Sequence, residues 1–499
     1  MGLFFFCAIH QEAIEIRYTC GSIQGHKMND TNHLFLSGSI SKALLKLAVP
    51  IILINILQSA YQLTDAFWVG RLGAAQVAAV SVSMPVTFLV IAIGSGLAMA
   101  GAILSAQYMG AGQQDKVNHV AAQTVLMVTV TAIILGVIGY LLSPYFLHLL
   151  GVEDAVYSDA LKFMHVSFAG VVFVFIYAMF QALMRGIGQT KVPLIIVTVT
   201  VLLNFVLDPL FIFGYGSFEG LGVMGAALAT LVTQSLAAIA GIIIFLRGRH
   251  GIKLKLSSFA PDYSYIKQAF YLGAPGSVEL SARAFGLIIM SFLVASFGTQ
   301  TIASYGVGSN ILQMVMIPAM GLSMAVSTLV GQNMGAGNPH RAEQITKLAV
   351  LWGLCGLSFI GVLAYLFAPH LVAFFIPDDQ AVISKGAEFI RVMCLTWGGI
   401  GVQLCVVAAF RASGNMLNAM LLALFSQCVV QFPAAYILSK HTALGDQGIW
   451  YSFAVTNVLV AVVSYLWFVR GRWQQTKLTK DDKDIAQVTQ EAFIEEGAH

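Results

Sequence analysis

Two acidic side chains sit where acids are expensive. Asn55, Gln58, Gln62 and Asp65 are spaced three, four and three apart in an otherwise apolar stretch, so one helix face carries all four. In a second apolar stretch Asn204 and Asp208 are four apart and Pro209 follows, removing a backbone donor and bending a helix there. A carboxylate in the bilayer interior costs about 2.5–3.5 kcal/mol on insertion scales, so each one needs a partner, a proton or a task. Asp65 lies 19 residues past Lys46 and Asp208 lies 17 past Lys191. At about 1.5 Å per residue, both stand roughly 25–29 Å from the same boundary. If their faces converge in a poorly hydrated cleft, the two carboxylates cannot both keep their charge, and a proton can be exchanged near neutral pH. The competing reading has each acid capping its helix among headgroups and water. Shared depth, the Asn partners and the proline favour the coupled pair.

Other polar groups are candidates for the same cavity. Tyr177 and Gln181 are four apart, and Thr230, Thr233 and Gln234 lie in another span. With Gln58 and Gln62 they are expected to line the cargo site, although such side chains in membrane helices also bond neighbouring helices. Glu279 and Arg283, four apart with the acid first, read as a structural, neutralising ion pair. The last helices carry Gln403, Gln427, Gln431 and Asn457 but no carboxylate. Met84, Met99, Met290, Met314, Met316, Met320 and Met324, with Phe88, Phe173, Phe175, Tyr305 and Trp397, are candidates for a broad apolar chamber suited to flat aromatic ligands.

These residues need long apolar helices to position them. Of 499 residues only 10% are charged and 58% are hydrophobic, far from the soluble average of about 25% charged. The chain reads as an all-α polytopic membrane protein. Twelve apolar segments can be marked, near 44–69, 78–106, 119–142, 162–185, 191–213, 222–246, 266–296, 302–331, 346–369, 387–410, 416–438 and 448–469. The net charge of +3 reflects Lys and Arg beside these spans, which reports orientation rather than nucleic-acid binding. By the positive-inside rule both termini are cytoplasmic, in a multi-pass protein of the cell (inner) membrane.

The basic connection from Arg247 to Lys267 falls where two six-helix halves should join. The expected organisation is an N-terminal extension 1–40, a first lobe 41–247, a linker 248–265, a second lobe 266–470 and a polar cytoplasmic tail 471–499. Met28 opens a polar stretch before the first long helix and is the expected start of translation. The cysteines have no metal-type spacing and the histidines are scattered, so no metal site or other cofactor is expected.

The halves also repeat. Gly96, Met99, Gln107, Met109-Gly110-Ala111-Gly112 recur 225 residues later as Gly321, Met324, Gln332, Met334-Gly335-Ala336-Gly337. One residue of slip then matches Arg185 and Gly188 to Arg411 and Gly414. An even number of spans per half makes the repeats parallel, related by a pseudo-twofold axis along the membrane normal. The glycine-rich runs follow no strand and lack Gly-Lys-Ser/Thr, so they are helix-ending turns and not phosphate loops.

The two-times-six layout, Asp65 with Val69-Gly70-Arg71-Leu72-Gly73, the twin Gln-x-Met-Gly-Ala-Gly turns, Arg185 with Gly186 and Gly188, and Asn204 to Asp208-Pro209 resemble the multidrug and toxic compound extrusion (MATE) family. The resemblance covers about residues 37–472 and is nearest to the DinF-like branch. It implies a proton-coupling site at Asp65, Asn204 and Asp208, with Gln181 where that branch often has another amide. Arg283 and Ile400 stand where the NorM-like branch has acids, so sodium coupling through the second lobe is disfavoured, and sodium at the first lobe stays open. The resemblance implies a monomeric antiporter in the lipid bilayer that exports small amphipathic, often cationic compounds in exchange for protons. A sodium-coupled drug antiporter and a lipid-linked saccharide flippase are the alternatives. The flippase would need a strongly cationic cavity, whereas Arg283 is the only clearly mid-helix base. No nucleophile with its base, metal triad or filter-like loop points to an enzyme or a channel.

Overall fold

The computed structural model describes residues 33–476 and 478, apart from 217 and 378. The expected start at Met28 and most of the expected extension and tail lie outside the described residues. In the first half α1 spans Ile40–Gly70, α2 Ala74–Gly110, α3 Gln114–Leu149, α4 Asp154–Gly186, α5 Lys191–Phe213 and α6 Val223–Arg247. A short antiparallel ribbon, β1 (Gly214–Tyr215) and β2 (Phe218–Glu219), joins α5 to α6. In the second half come α7 Tyr263–Ala295, α8 Thr299–Gly335, α9 Pro339–Phe375, α10 Gln380–Cys394, α11 Trp397–Ala412, α12 Met416–Leu424, α13 Phe432–Lys440 and α14 Gln447–Val469. With no water in the hydrocarbon to bond the backbone, such apolar runs must close their hydrogen bonds internally, and the helix does so.

Eleven of these helical stretches are long and apolar enough to cross a membrane, α12 to α13 counting as one. The pair α10 and α11, bent by 50°, makes the twelfth. The fold is therefore two six-helix bundles in a polytopic membrane protein. Hydropathy alone places the tenth span as one straight segment; the structure breaks it near Leu395 and Thr396, where Asn457 Nδ2 donates to Thr396 Oγ1 at 3.1 Å. The eleventh span widens into a π-helical turn over Phe425–Gln431 just before Pro433. Proline supplies no N–H to the turn behind it, and a widened turn is one way to absorb that loss.

Each half has its own apolar core, but the inner ends of two helices are exchanged. Leu44, Leu47 and Ile51 of α1 pack with Val326, Leu329 and Val406 of the second half. Reciprocally, Tyr265, Ala269 and Leu272 of α7 pack with Ala100, Leu104 and Val120 of the first. Both exchanges lie at the end of the bundle that carries the basic connections. There α2 and α8 cross so closely that a Cβ on Gly110 would stand 1.8 Å from the Gln332 carbonyl oxygen, and one on Gly335 would stand 1.8 Å from that of Gln107. Gln107 Nε2 donates to Ala412 O at 2.7 Å and Gln332 Nε2 to Gly186 O at 3.0 Å, again a matched pair. Gly112 and Gly337 then turn the chain at φ 72° and 74°, a left-handed conformation that suits glycine.

Farther along, the halves still touch at Ile52 against Gly321 and at Ser277, whose Oγ donates to Ile93 O. Toward the opposite end Met84, Phe88, Met314 and Met320 are exposed.

Candidate functional site

The first half builds its site from three helices. α1 packs against α5, and α5 against α6, which brings Asp65, the Asn204–Asp208 pair and Thr230 together. Asn204 and Asp208 are completely buried and Asp65 is half-buried. Pro209 lies inside α5, which stays helical to Phe213. The Asp65 and Asp208 carboxyl groups are neighbours, with Asn204 beside the pair. Asn204 Nδ2 donates to Asp208 Oδ1 at 2.9 Å, and Thr230 Oγ1 donates to Asp65 Oδ2 at 3.3 Å. Three buried oxygens remain without a donor: Asp65 Oδ1, Asp208 Oδ2 and Asn204 Oδ1. Oxygens gathered this way, away from solvent, form a seat for a small cation. A single proton between the carboxyl groups satisfies two of them at once.

Tyr61 belongs to the same cluster and was not singled out from the sequence. Its hydroxyl shares a 2.7 Å hydrogen bond with Thr233 Oγ1. The signal was present, since Tyr61 is four residues before Asp65 and so on its face. Past Asp65, Trp68 meets Phe205 and Phe213 with ring centroids 6.2 and 6.1 Å apart.

The expected cargo-lining residues separate. Gln58 Nε2 donates to Gln181 Oε1 at 3.3 Å, a pair apart from the acids. Gln62 is exposed and Gln234 half-buried, and neither is hydrogen-bonded to an acid among the described residues. Tyr177 is buried in the core of the first half. The apolar chamber also shrinks: Met290, Tyr305 and Trp397 are packed into the core of the second half and Phe175 into that of the first, because large side chains on inward helix faces fill the bundle interior. Met84, Phe88, Met314 and Met320 are left exposed.

In the second half Glu279 is fully buried and does meet Arg283, whose Nη2 stands 3.2 Å from Oε1. It has a closer partner. Arg411 reaches it through both Nε, at 3.1 Å to Oε2, and Nη2, which contacts Oε1. Position along the chain puts Arg411 at a turn and leaves Arg283 as the sole mid-helix base. The length of the arginine side chain overturns that, carrying the guanidinium back into the bundle to a buried carboxylate. Arg185, the counterpart of Arg411, has no acid partner among the described residues, and the repeat register puts Ile54 where the second half has Glu279.

A family model described as MatE matches residues 50–210 and 275–437, one stretch in each half. The probable multidrug resistance protein YpnP of Bacillus subtilis (strain 168) is 28% identical over 452 residues, covering 89% of this chain and 98% of its own. The probable multidrug resistance protein NorM of Thermotoga maritima is 27% identical, covering 87% of this chain and 94% of its own. Among solved structures, an outward-facing multidrug resistance MATE family transporter of the MOP superfamily superposes with a TM-score of 0.80. It is 24% identical and covers 89% of this chain and 98% of its own.

Proposed function

The chain belongs to the MatE family of membrane transporters, and from that premise we propose that it is a secondary active efflux carrier, exporting amphipathic, often cationic compounds in exchange for protons. The observation that carries the coupling is the meeting of Asp65 and Asp208 in a buried cluster with Asn204 and Thr230. Two carboxyl groups this close and this dry do not both hold a negative charge at low cost, so the pair exists either bridged by a proton or opened to release it.

The basic end, where Gly110 and Gly335 cross, is the cytoplasmic one in this reading, and both termini lie there. The opposite end then opens outward. A proton entering from outside bridges the acids, α1 and α5 draw together, and cargo held on the first lobe is released. Reopening toward the cytoplasm frees the proton and restores an acidic seat for the next cation. The gradient drives the cycle because each charge crossing the potential is worth about 2.3 kcal/mol per 100 mV. Lobes 41–247 and 266–470, joined by 248–265, would rock as units about the exchanged inner ends of α1 and α7. The carrier acts as a monomer in the inner membrane.

A second reading rests on the three oxygens without donors, which suit sodium as well as a proton. Liposomes holding the full chain separate the two. Uptake of a fluorescent cationic dye should follow an imposed pH gradient and not a sodium gradient, and Asp65→Asn should reduce it to the background of empty liposomes while the protein stays monodisperse. Undiminished uptake in that variant would remove Asp65 from coupling, and sodium-driven uptake would replace the proton.

A further inference from the structure

The cluster on α7 holds more positive charge than it can neutralise. Glu279 is engaged by two atoms of the Arg411 guanidinium but by only one atom of Arg283. Among the described residues neither arginine pairs with any other acid. Arg411 is the more enclosed, its side chain 18% exposed against 32% for Arg283. One carboxylate balances one guanidinium, so the surplus charge belongs to Arg283, the more accessible of the two.

Its position follows from the helix. Gly276, Glu279, Arg283 and Gly286 are three, four and three apart and form one stripe of α7. At Gly276 that stripe meets Met99 of the first half and Met416 of the second, and at Gly286 it meets Gln427 and Phe432, so past the seam it faces the second half's own helices. Arg283 lies two turns past Gly276, about 10 Å along the axis, between these two levels, with its side chain 32% exposed beside Glu279. The repeat register pairs it with Gln58, 225 residues earlier, an exposed glutamine of α1. The two halves thus carry an amide and a guanidinium at equivalent positions, with Asp65 two turns beyond the amide.

We propose that Arg283 is a cargo-binding residue that takes an oxyanion, a carboxylate or phosphate borne on an aromatic amphiphile. A guanidinium presents a planar fork of donors that fits either group bidentately. The surplus cation on a poorly hydrated helix face gains most from an anion that occupies it. An acid in one half and a base in the other favour cargo that carries both signs. This deepens the export reading, on which it rests for calling the ligand cargo.

The test uses two flavins that share one ring system: flavin mononucleotide, which carries a phosphate, and riboflavin, which does not. Equilibrium dialysis of the detergent-solubilised full chain should show the phosphorylated flavin bound about tenfold or more tighter. Arg283→Gln should erase that gap and leave riboflavin affinity unchanged, while Arg283→Lys should keep part of it. Glu279 retains Arg411 in these variants, so the fold is preserved, and gel filtration checks this. Equal affinity for the two flavins in the native chain, or a preference that survives Arg283→Gln, overturns the site. If native liposomes carry no dye yet the flavin preference and its loss are observed, the export reading fails and the oxyanion site stands.

Discussion

At the basic end the two halves are interchangeable. Gly110 meets the carbonyl of Gln332 as Gly335 meets that of Gln107, and the two glutamines bond Ala412 and Gly186 in mirrored roles. In the membrane interior the halves hold charge in opposite ways. The first gathers Asp65 and Asp208 with neutral donors, whereas the second surrounds Glu279 with Arg411 and Arg283. Close helix crossings tolerate little change, because an added methyl would collide with a backbone that cannot move aside. Charge constellations are free to diverge once one of them is enough for the task. Kinship between the halves therefore shows where the protein must fit together, and its failure shows where each half has its own chemistry.

Stability separates the charge sites most sharply. Arg411→Ala leaves a buried carboxylate with one weak partner, and about 3–5 kcal/mol of stability should be lost. Arg185→Ala, at the matching position without an acid, should lose clearly less in the same thermal unfolding assay. Equal losses would mean that the halves treat these arginines alike. At the crossing the opposite outcome is expected. Gly110→Ala and Gly335→Ala should each cost about 1–3 kcal/mol through overpacking and should increase labelling of a cysteine placed at the basic end to similar degrees. A large difference between them would show that the symmetry is only apparent.

The smallest effect concerns how α1 and α7 begin. Asp262 caps α7, accepting from the N–H groups of Ser264 and Tyr265, whereas Ser39 makes no side-chain cap on α1. The Tyr265 N–H, helped by His119 and Ser264, holds the Asp262 carboxyl below the usual carboxylate range. A lowered acid contributes stability above its unfolded value of about 3.9, and that contribution is lost as pH falls through the lower folded value. Asp262→Ala should thus cost about 1 kcal/mol at neutral pH, with the difference from the native chain shrinking below about pH 4. Ser39→Ala should change little at either pH.

Much of this site was legible from spacing. Polar residues three and four apart had to share a helix face, and counting from Lys46 and Lys191 put Asp65 and Asp208 at one depth. Tyr61 was readable by the same rule, but a lone tyrosine in an apolar helix looks like an ordinary core residue. Gln62 and Gln234 fitted the pattern equally well, and only the rotation of their helices shows that they stand off from the acids. Arg411 was beyond spacing altogether, since its partner lies 132 residues away in another helix.

Hydropathy and its repetition determined the class, the number of spans and the register of the two halves, because a bilayer admits few backbone solutions and the helix fixes rise and rotation per residue. Which faces meet is a matter of packing between helices distant in the chain, and the tertiary structure alone decided it. It set the two aspartates side by side, turned Arg411 onto Glu279, and left Arg283 with charge to spare.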